Sequence, residues 1–331
     1  MATPDAIAST NGKVRAGSHV LSLFANPLTA RILRAHTNGP LRLSALHEQI
    51  GWSPHTTLRA AVNNLCDVGA LQRGTDGDPR PSAATALTPA GEEMIAVADS
   101  IDRWLAAAPM GAIAPNSDEA KGAIKALAGG WNSTLMRALA TRPFTLTGLD
   151  KLIPDVSYPS LERRLARMRA TGQIEAVEAK DRGTPYAVTE WSRRAVGPLC
   201  MAGRCERRYL PDATAPITDV EVEASFMLTL PLARLPETSH GVCMLAVQTC
   251  TSEAEERGQD LAGVTIEVRR GQVVSCATRI HERPPTWALG TAENWLDVVI
   301  DGDLTELRFG GARPQLAANL VNSVHFALFG E

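Results

Sequence analysis

The residues best suited to chemistry in this chain of 331 residues are arginines. The stretch YPSLERRLARMRATGQIEAV, Tyr158 to Val177, carries Arg163, Arg164, Arg167 and Arg169 with two glutamates, Glu162 and Glu175. A guanidinium is always charged and presents a planar fork of donors, which suits phosphate oxygens and the O6/N7 edge of guanine. At roughly 100° per residue, Leu161, Leu165 and Met168 share one side of a helix. Arg163 and Arg167 fall on the opposite side, with Ser160 and Arg164 at its edge. Taken alone, an Arg-rich helix is more often a solvated face paired to neighbours such as Glu162, so the surroundings must decide.

Catalysis finds less support. The G-x-S-x-G, H-E-x-x-H and Walker patterns are absent. HERPP at His281 shares two letters with a zinc motif and none of its spacing, and the carboxylates of GTAENW and IDGD sit where strand–helix corners usually carry them. The expectation is a protein that is not an enzyme, with no metal and no cofactor.

The charge is uneven along the chain. Met1 to Pro115 balances nine basic against nine acidic residues; Asn116 to Pro211 has sixteen against ten, and Asp212 to Glu331 eight against seventeen. A basic middle and an acidic end suggest different partners. The six cysteines show no C-x-x-C pair and read as reduced thiols of a cytoplasmic protein. No apolar run is long enough to span a membrane, and residues 1–17 read as a flexible tail.

The element pattern that positions the arginines occurs twice. RAHTNGPLRLSALHEQI (Arg34 to Ile50) aligns without a gap on RALATRPFTLTGLDKLI (Arg137 to Ile153), an offset of 103. The same offset sets Leu58, Val62, Leu65, Gly69 and Leu71 on Leu161, Leu165, Met168, Gly172 and Ile174. Each copy reads as a helix, a short second helix capped by Ser44 or Thr147, a turn, a third helix closed by a glycine, two strands around a polar tip, and a final helix. The two final helices are expected to pack on one another, since Trp104, Leu105, Leu199 and Met201 need cover.

That order resembles HxlR-type winged helix-turn-helix regulators, copy two the more closely through ALAGGWNSTLMRALATRPFTLTGL, with Gly130 and Trp131, and TPYAVTEW. The resemblance implies that the third helix enters the major groove of double-stranded DNA. On copy two the implied contacts are Ser160, Arg163, Arg164 and Arg167, with Lys180 and Arg182 at the hairpin tip. On copy one they are Thr56, Thr57, Arg59, Asn63 and Asn64, with Arg80 at the tip. Copy one's face is nearly uncharged, so a role in packing competes with a role in reading bases. Two linked copies would form an internal pseudo-dimer, with association of whole chains left open.

From Asp212 the pattern changes. HGVCMLAVQTC alternates as a strand, AGVTIEVRRGQVVSCATRI reads as a hairpin turning at Arg270-Gly271, and TAENWLDVVIDGD and PQLAANLVNSVHFALFG read as helices. LAGVTIEVRRGQVVS, WLDVVIDGD and the closing LAANLVNSVHFALFG resemble the sterol-carrier-protein type of lipid-binding domain. That resemblance implies an apolar pocket for a hydrophobic small-molecule effector, lined by Trp287, Trp295, Val298, Val299, Leu320, Val324 and Phe326; each could equally be ordinary core.

The fold expected is therefore α+β: two tandem winged helix-turn-helix domains followed by a small α+β sterol-carrier-like domain. The divisions expected are 1–17 tail, 18–112, 113–211 and 212–331. The function expected is a bacterial transcriptional regulator of secondary-metabolism type, whose effector changes the placement of the two modules or lets the acidic end mask the arginines. The alternative is a drug- or lipid-sequestering protein whose winged helices contact other proteins.

Overall fold

The computed structural model describes residues 18–51, 54–74, 84–128, 130–154, 156–178, 183–210, 219–249, 260–278, 280–281 and 283–330. The chain is mixed helix and sheet. It opens with α1 (His19–Phe24), α2 (Pro27–Ala35), α3 (Leu43–Ile50) and α4 (His55–Asp67). The short strands β1 (Leu71–Arg73) and β2 (Thr85–Leu87), then α5 (Pro89–Ala106) and α6 (Asp118–Ala128), complete the first part. The second run is α7 (Gly130–Thr141), β3 (Phe144–Thr145), α8 (Leu146–Leu152), α9 (Tyr158–Ala170), β4 (Ile174–Ala176), β5 (Pro185–Val188), α10 (Glu190–Arg194) and α11 (Val196–Tyr209). No helix among the described residues is long and apolar enough to cross a membrane.

The sequence repeat returns as matched geometry. Gly69 and Gly172 adopt φ of 72° and 73°, a left-handed conformation that glycine takes without a Cβ penalty. The next amides, of Ala70 and Gln173, donate back to the carbonyls of Leu65 and Met168 at 2.9 and 2.8 Å, closing α4 and α9 in Schellman fashion. The Thr88 hydroxyl lies 2.6 and 3.0 Å from the carbonyls of Gly69 and Ala70 and accepts from the Gly91 amide at 3.1 Å. Thr189 repeats the arrangement with Gly172, Gln173 and Ser192 at 2.8, 3.1 and 3.3 Å. Each hairpin also gains a further antiparallel pairing: Leu41 forms an isolated bridge to Thr85, and β3 joins the second hairpin as a third strand through Phe144 and Tyr186.

One local expectation is corrected. Ser44 and Thr147 lie inside their helices rather than capping them. Thr145 caps α8, accepting from the Gly148 amide at 3.1 Å, because it holds the extended conformation from which a hydroxyl reaches the first turn. Arg42, its counterpart, makes no side-chain cap on α3.

The third part contains α12 (Asp219–Thr229), β6 (Gly241–Thr249), β7 (Asp260–Arg269), β8 (Gln272–Ala277), β9 (Thr286–Thr291), α13 (Ala292–Asp301), β10 (Arg308–Gly311) and α14 (Pro314–Phe329). Its five strands lie in the order β10-β9-β6-β7-β8, with β6 and β9 parallel and every other pair antiparallel. Arg270 and Gly271 between β7 and β8 have φ of 49° and 73°, the double positive φ that a two-residue hairpin needs. Alternate residues of β6 (Cys243, Leu245, Val247) and β7 (Val264, Ile266, Val268) enter a core with Trp295 and Val298 of α13 and Leu320 and Val324 of α14.

The described residues form two compact units. One holds 18–128 together with 201–210, the later part of α11. Within it, Glu93 of α5 accepts from Arg204 of α11 at 3.0 Å and lies 3.6 Å from Arg208, so the helices that follow the two hairpins are joined by ion pairs. Trp104, Leu105 and Met201 are buried.

The other unit holds 130–200 and 219–330. Here α12 serves two cores at once. Val222 and Phe226 belong to the sheet core, Leu228 belongs to the core under α9, and Met227, Cys200 and Leu328 border both. Burying a side chain the size of Leu228 stabilises by about 2 kcal/mol, so α12 is a structural member of the second copy as well as of the sheet domain.

Candidate nucleic-acid interface

In α9, Leu161, Leu165 and Met168 are buried, and Arg163, Arg167 and Arg169 are exposed. Arg163 turns back along its own helix: Nε donates to the Pro159 carbonyl at 3.3 Å, and Nη2 to Ser160 Oγ at 3.4 Å. Ser160 Oγ in turn accepts from Ser157 Oγ at 3.1 Å. Neither Arg163 nor Arg167 forms an ion pair among the described residues. Glu162, the neighbour expected to neutralise them on a merely solvated face, pairs with neither. Arg164 is half-buried; burial first, and the charge of Arg167 second, pull its guanidinium below its ordinary value. Cations crowded on one face raise the energy of the isolated protein and gain most from an external anion.

The equivalent face on α4 is also solvent-facing: His55, Thr56, Thr57, Arg59, Asn63 and Asn64 are all exposed. Asn63, however, is engaged. Its Oδ1 accepts from Arg73 Nη2 of β1 at 2.8 Å. Paired recognition of adenine needs both the oxygen and the nitrogen of an amide side chain, so Asn63 would first have to release Arg73. Asn64 carries no such tie among the described residues. The ring of His55, at the first turn of α4, stacks on His47 with centroids 3.8 Å apart and planes 10° from parallel. The tip residues Arg80, Lys180 and Arg182 lie outside the described residues.

A buried polar group steadies the first copy. His36 of the first lies between the Ile32 carbonyl and the Thr85 hydroxyl, each 2.8 Å away, and burial lowers its pKa. Neutral His36 therefore donates from Nδ1 to the Ile32 carbonyl and accepts from Thr85. Leu139, buried, takes the matching position in the second copy.

The expected ligand residues are not brought together as one group. Trp295, Val298, Val299, Leu320 and Val324 are packed in the sheet core, and the Trp295 indole N–H donates to the Ala246 carbonyl at 2.8 Å. Trp287 alternates to the sheet face opposite Ala288 and its indole covers Gly310, where a Cβ would stand 2.3 Å from Cζ2. Trp287 and Trp295 thus lie on opposite faces of the sheet. Phe326 is 66% exposed on α14. Both departures have one cause: alternation along β9 turns Trp287 outward, and a position two beyond Val324 has rotated off the buried stripe of α14.

Among the described residues no group of three or more His, Cys, Asp or Glu is placed to hold a metal ion. Burial pushes the thiols of Cys205, Cys243 and Cys276 up to about 12, so these three are un-ionised at neutral pH and poor nucleophiles. Comparison of the chain with family models, with curated proteins and with solved structures yields no match.

Two functional candidates were missed by inspection of the sequence. Arg73 sits in a three-residue strand too short to announce a side-chain role, yet it holds Asn63. Arg193 lies in an Arg-Arg pair that resembles any helix end; in the structure its guanidinium is drawn inward to α12.

Proposed function

We propose that each repeated half is a winged helix-turn-helix and that the chain is a cytoplasmic DNA-binding transcriptional regulator, α9 being its principal reader. The observation that carries this reading is the exposure of Arg163 and Arg167 on the side of α9 opposite its buried residues, without carboxylate partners among the described residues. A helix with that face, third in its module and followed by an antiparallel hairpin, fits a major groove some 12 Å wide and lined by guanine acceptors. The α4 face, with Thr56, Thr57, Arg59 and Asn64 exposed, would add a second and weaker contact. The sheet domain is the part proposed to take a hydrophobic effector. Since α12 contributes to the cores on both sides of it, ligand-dependent repacking of the sheet core would reach α9 through Leu228 and Met227. Such coupling requires the effector to bind one packing of α12 better than another.

The test is a salt titration of the whole chain against fragments drawn from bacterial promoters. A reader that neutralises phosphates loses affinity linearly in the logarithm of salt concentration, with a slope of about −0.9 per contact. Affinity for no fragment at low salt, or affinity indifferent to salt, removes the reading and leaves sequestration of a small molecule as the better account.

A further inference from the structure

Within an otherwise matched frame, the two copies differ beside the third helix. In copy one, Arg73 of β1 reaches across to Asn63 of α4. At the same offset, copy two has Ala176 for Arg73 and Ala166 for Asn63, and Ala170 stands where α4 has Asp67. Losing the bridge leaves a half-open groove of about 340 Å³ between α9, the start of α8 and β5. Its floor is Leu146, Leu165, Ala166 and Ala170, and Tyr186 lines it from β5. Thr85, the small residue that occupies the Tyr186 position in copy one, is instead consumed by His36.

The polar groups at the groove are unspent. Glu162 and Arg169 also line it, and neither makes an ion pair among the described residues; the Tyr186 hydroxyl makes no hydrogen bond among them. Seven residues along α9 separate Glu162 from Arg169 by about 10 Å, so the two do not neutralise one another. Four arginines against one glutamate on α9 make the local field favour an anion. An aromatic wall, a floor of small apolar side chains and a fork of donors at one end match a flat ring bearing a carboxylate. The volume lies at the lower end of the range for small-molecule sites and admits one or two fused rings.

We infer that the groove between α9 and β5 binds a planar aromatic carboxylate, with its ring against Tyr186 and its carboxylate on Arg169. Its regulatory meaning rests on the DNA-binding reading above; the binding itself does not. A bound anion beside Arg163 and Arg167 would lower the affinity of that face for phosphate. Naphthoate is the probe, with naphthylmethylammonium and naphthylmethanol as cationic and neutral counterparts, followed by calorimetry on the whole chain without DNA. Naphthoate is expected to bind, at least tenfold tighter than the cation. Ala166→Leu, which fills the floor with another good helix former, and the pair Ala166→Asn with Ala176→Arg, which restores the copy-one bridge, are each expected to abolish binding. Arg169→Gln is expected to weaken it about tenfold, the loss of one charge-assisted contact, with unfolding midpoints unchanged. No heat at millimolar naphthoate, equal binding of the cation, or binding unmoved by Ala166→Leu each overturns the site. If naphthoate binds as described and no DNA fragment does, the groove stands and only the DNA reading falls.

Discussion

Arg193 on α10 donates to the main-chain oxygen of Met227 on α12 at 3.0 Å, and to its neighbour Leu228 at 3.2 Å. The guanidinium thereby serves carbonyls at the C-terminal, negative end of α12, where a cation is favoured. Burial lowers its pKa. Replacing Arg193 with Met leaves those carbonyls without a charged donor and should destabilise the chain by about 1–3 kcal/mol in urea unfolding. Lys at the same position should recover only part, since a point charge does not reproduce the planar fork. An unchanged midpoint for Arg193→Met would mean that α12 is held by packing alone.

Arg163→Ala and Arg167→Ala test the reader directly. Both side chains are exposed, so each substitution should change stability by no more than about 0.5 kcal/mol. Against a bound promoter fragment, losing a phosphate contact should reduce the salt slope by about 1, and losing a guanine contact should cost about 1–3 kcal/mol with relaxed preference at one base pair. Mobility shifts across a salt series distinguish the two. Wild-type affinity in the double variant would move the reader elsewhere.

His36 sets a pH dependence. Its folded pKa is depressed by burial, so between that value and about 6.5 the unfolded chain binds a proton that the folded chain does not. Stability from this group is therefore present above about pH 6.5 and falls on acidification, with a slope no steeper than about 1.4 kcal/mol per pH unit for one proton. Urea midpoints between pH 7.5 and 5.5 should decline, and His36→Leu, which installs the residue type of the second copy, should flatten the decline. Parallel curves for both proteins would refute the assignment.

Gly91 is required by space rather than by its dihedral angles. A Cβ there would stand 2.3 Å from the Ala70 carbonyl oxygen. Gly91→Ala should cost about 1–3 kcal/mol through forced displacement of α5 from β1. The second copy solves the same close approach differently: the Ser192 hydroxyl donates to the Gln173 carbonyl at 2.7 Å. Ser192→Ala should be the milder change, losing one hydrogen bond of about 1 kcal/mol. Thermal denaturation ranks the two.

Much of this architecture was legible in the residues. The offset of 103 gave the helices, and the glycines at 69 and 172 marked where two of them stop, because a left-handed closure selects for glycine wherever it falls. Capping was read two positions late, since Thr145 and Thr147 are chemically equivalent and only backbone conformation separates them. The extra pairing beside each hairpin escaped notice because Leu41 and Phe144 pair over one or two residues, too short for alternation to register. Nor did α12 announce itself. A helix covered by two cores has apolar residues on more than one side, and Val222, Phe226, Met227 and Leu228 leave no polar stripe to set the period. The expected ligand set is divided between two faces for a related reason: apolar identity marks burial, while the side of a sheet to which Trp287 turns depends on register.

The position of α12 has a practical consequence for taking the molecule apart. The change of charge near Asp212 looks like a seam, and a chain severed there would keep α9 intact on paper. It would nevertheless lose Leu228 and Met227 from beneath that helix and leave Arg193 facing open water. Any fragment made to isolate α9 must carry α12 as a graft, or its behaviour will describe an injured protein.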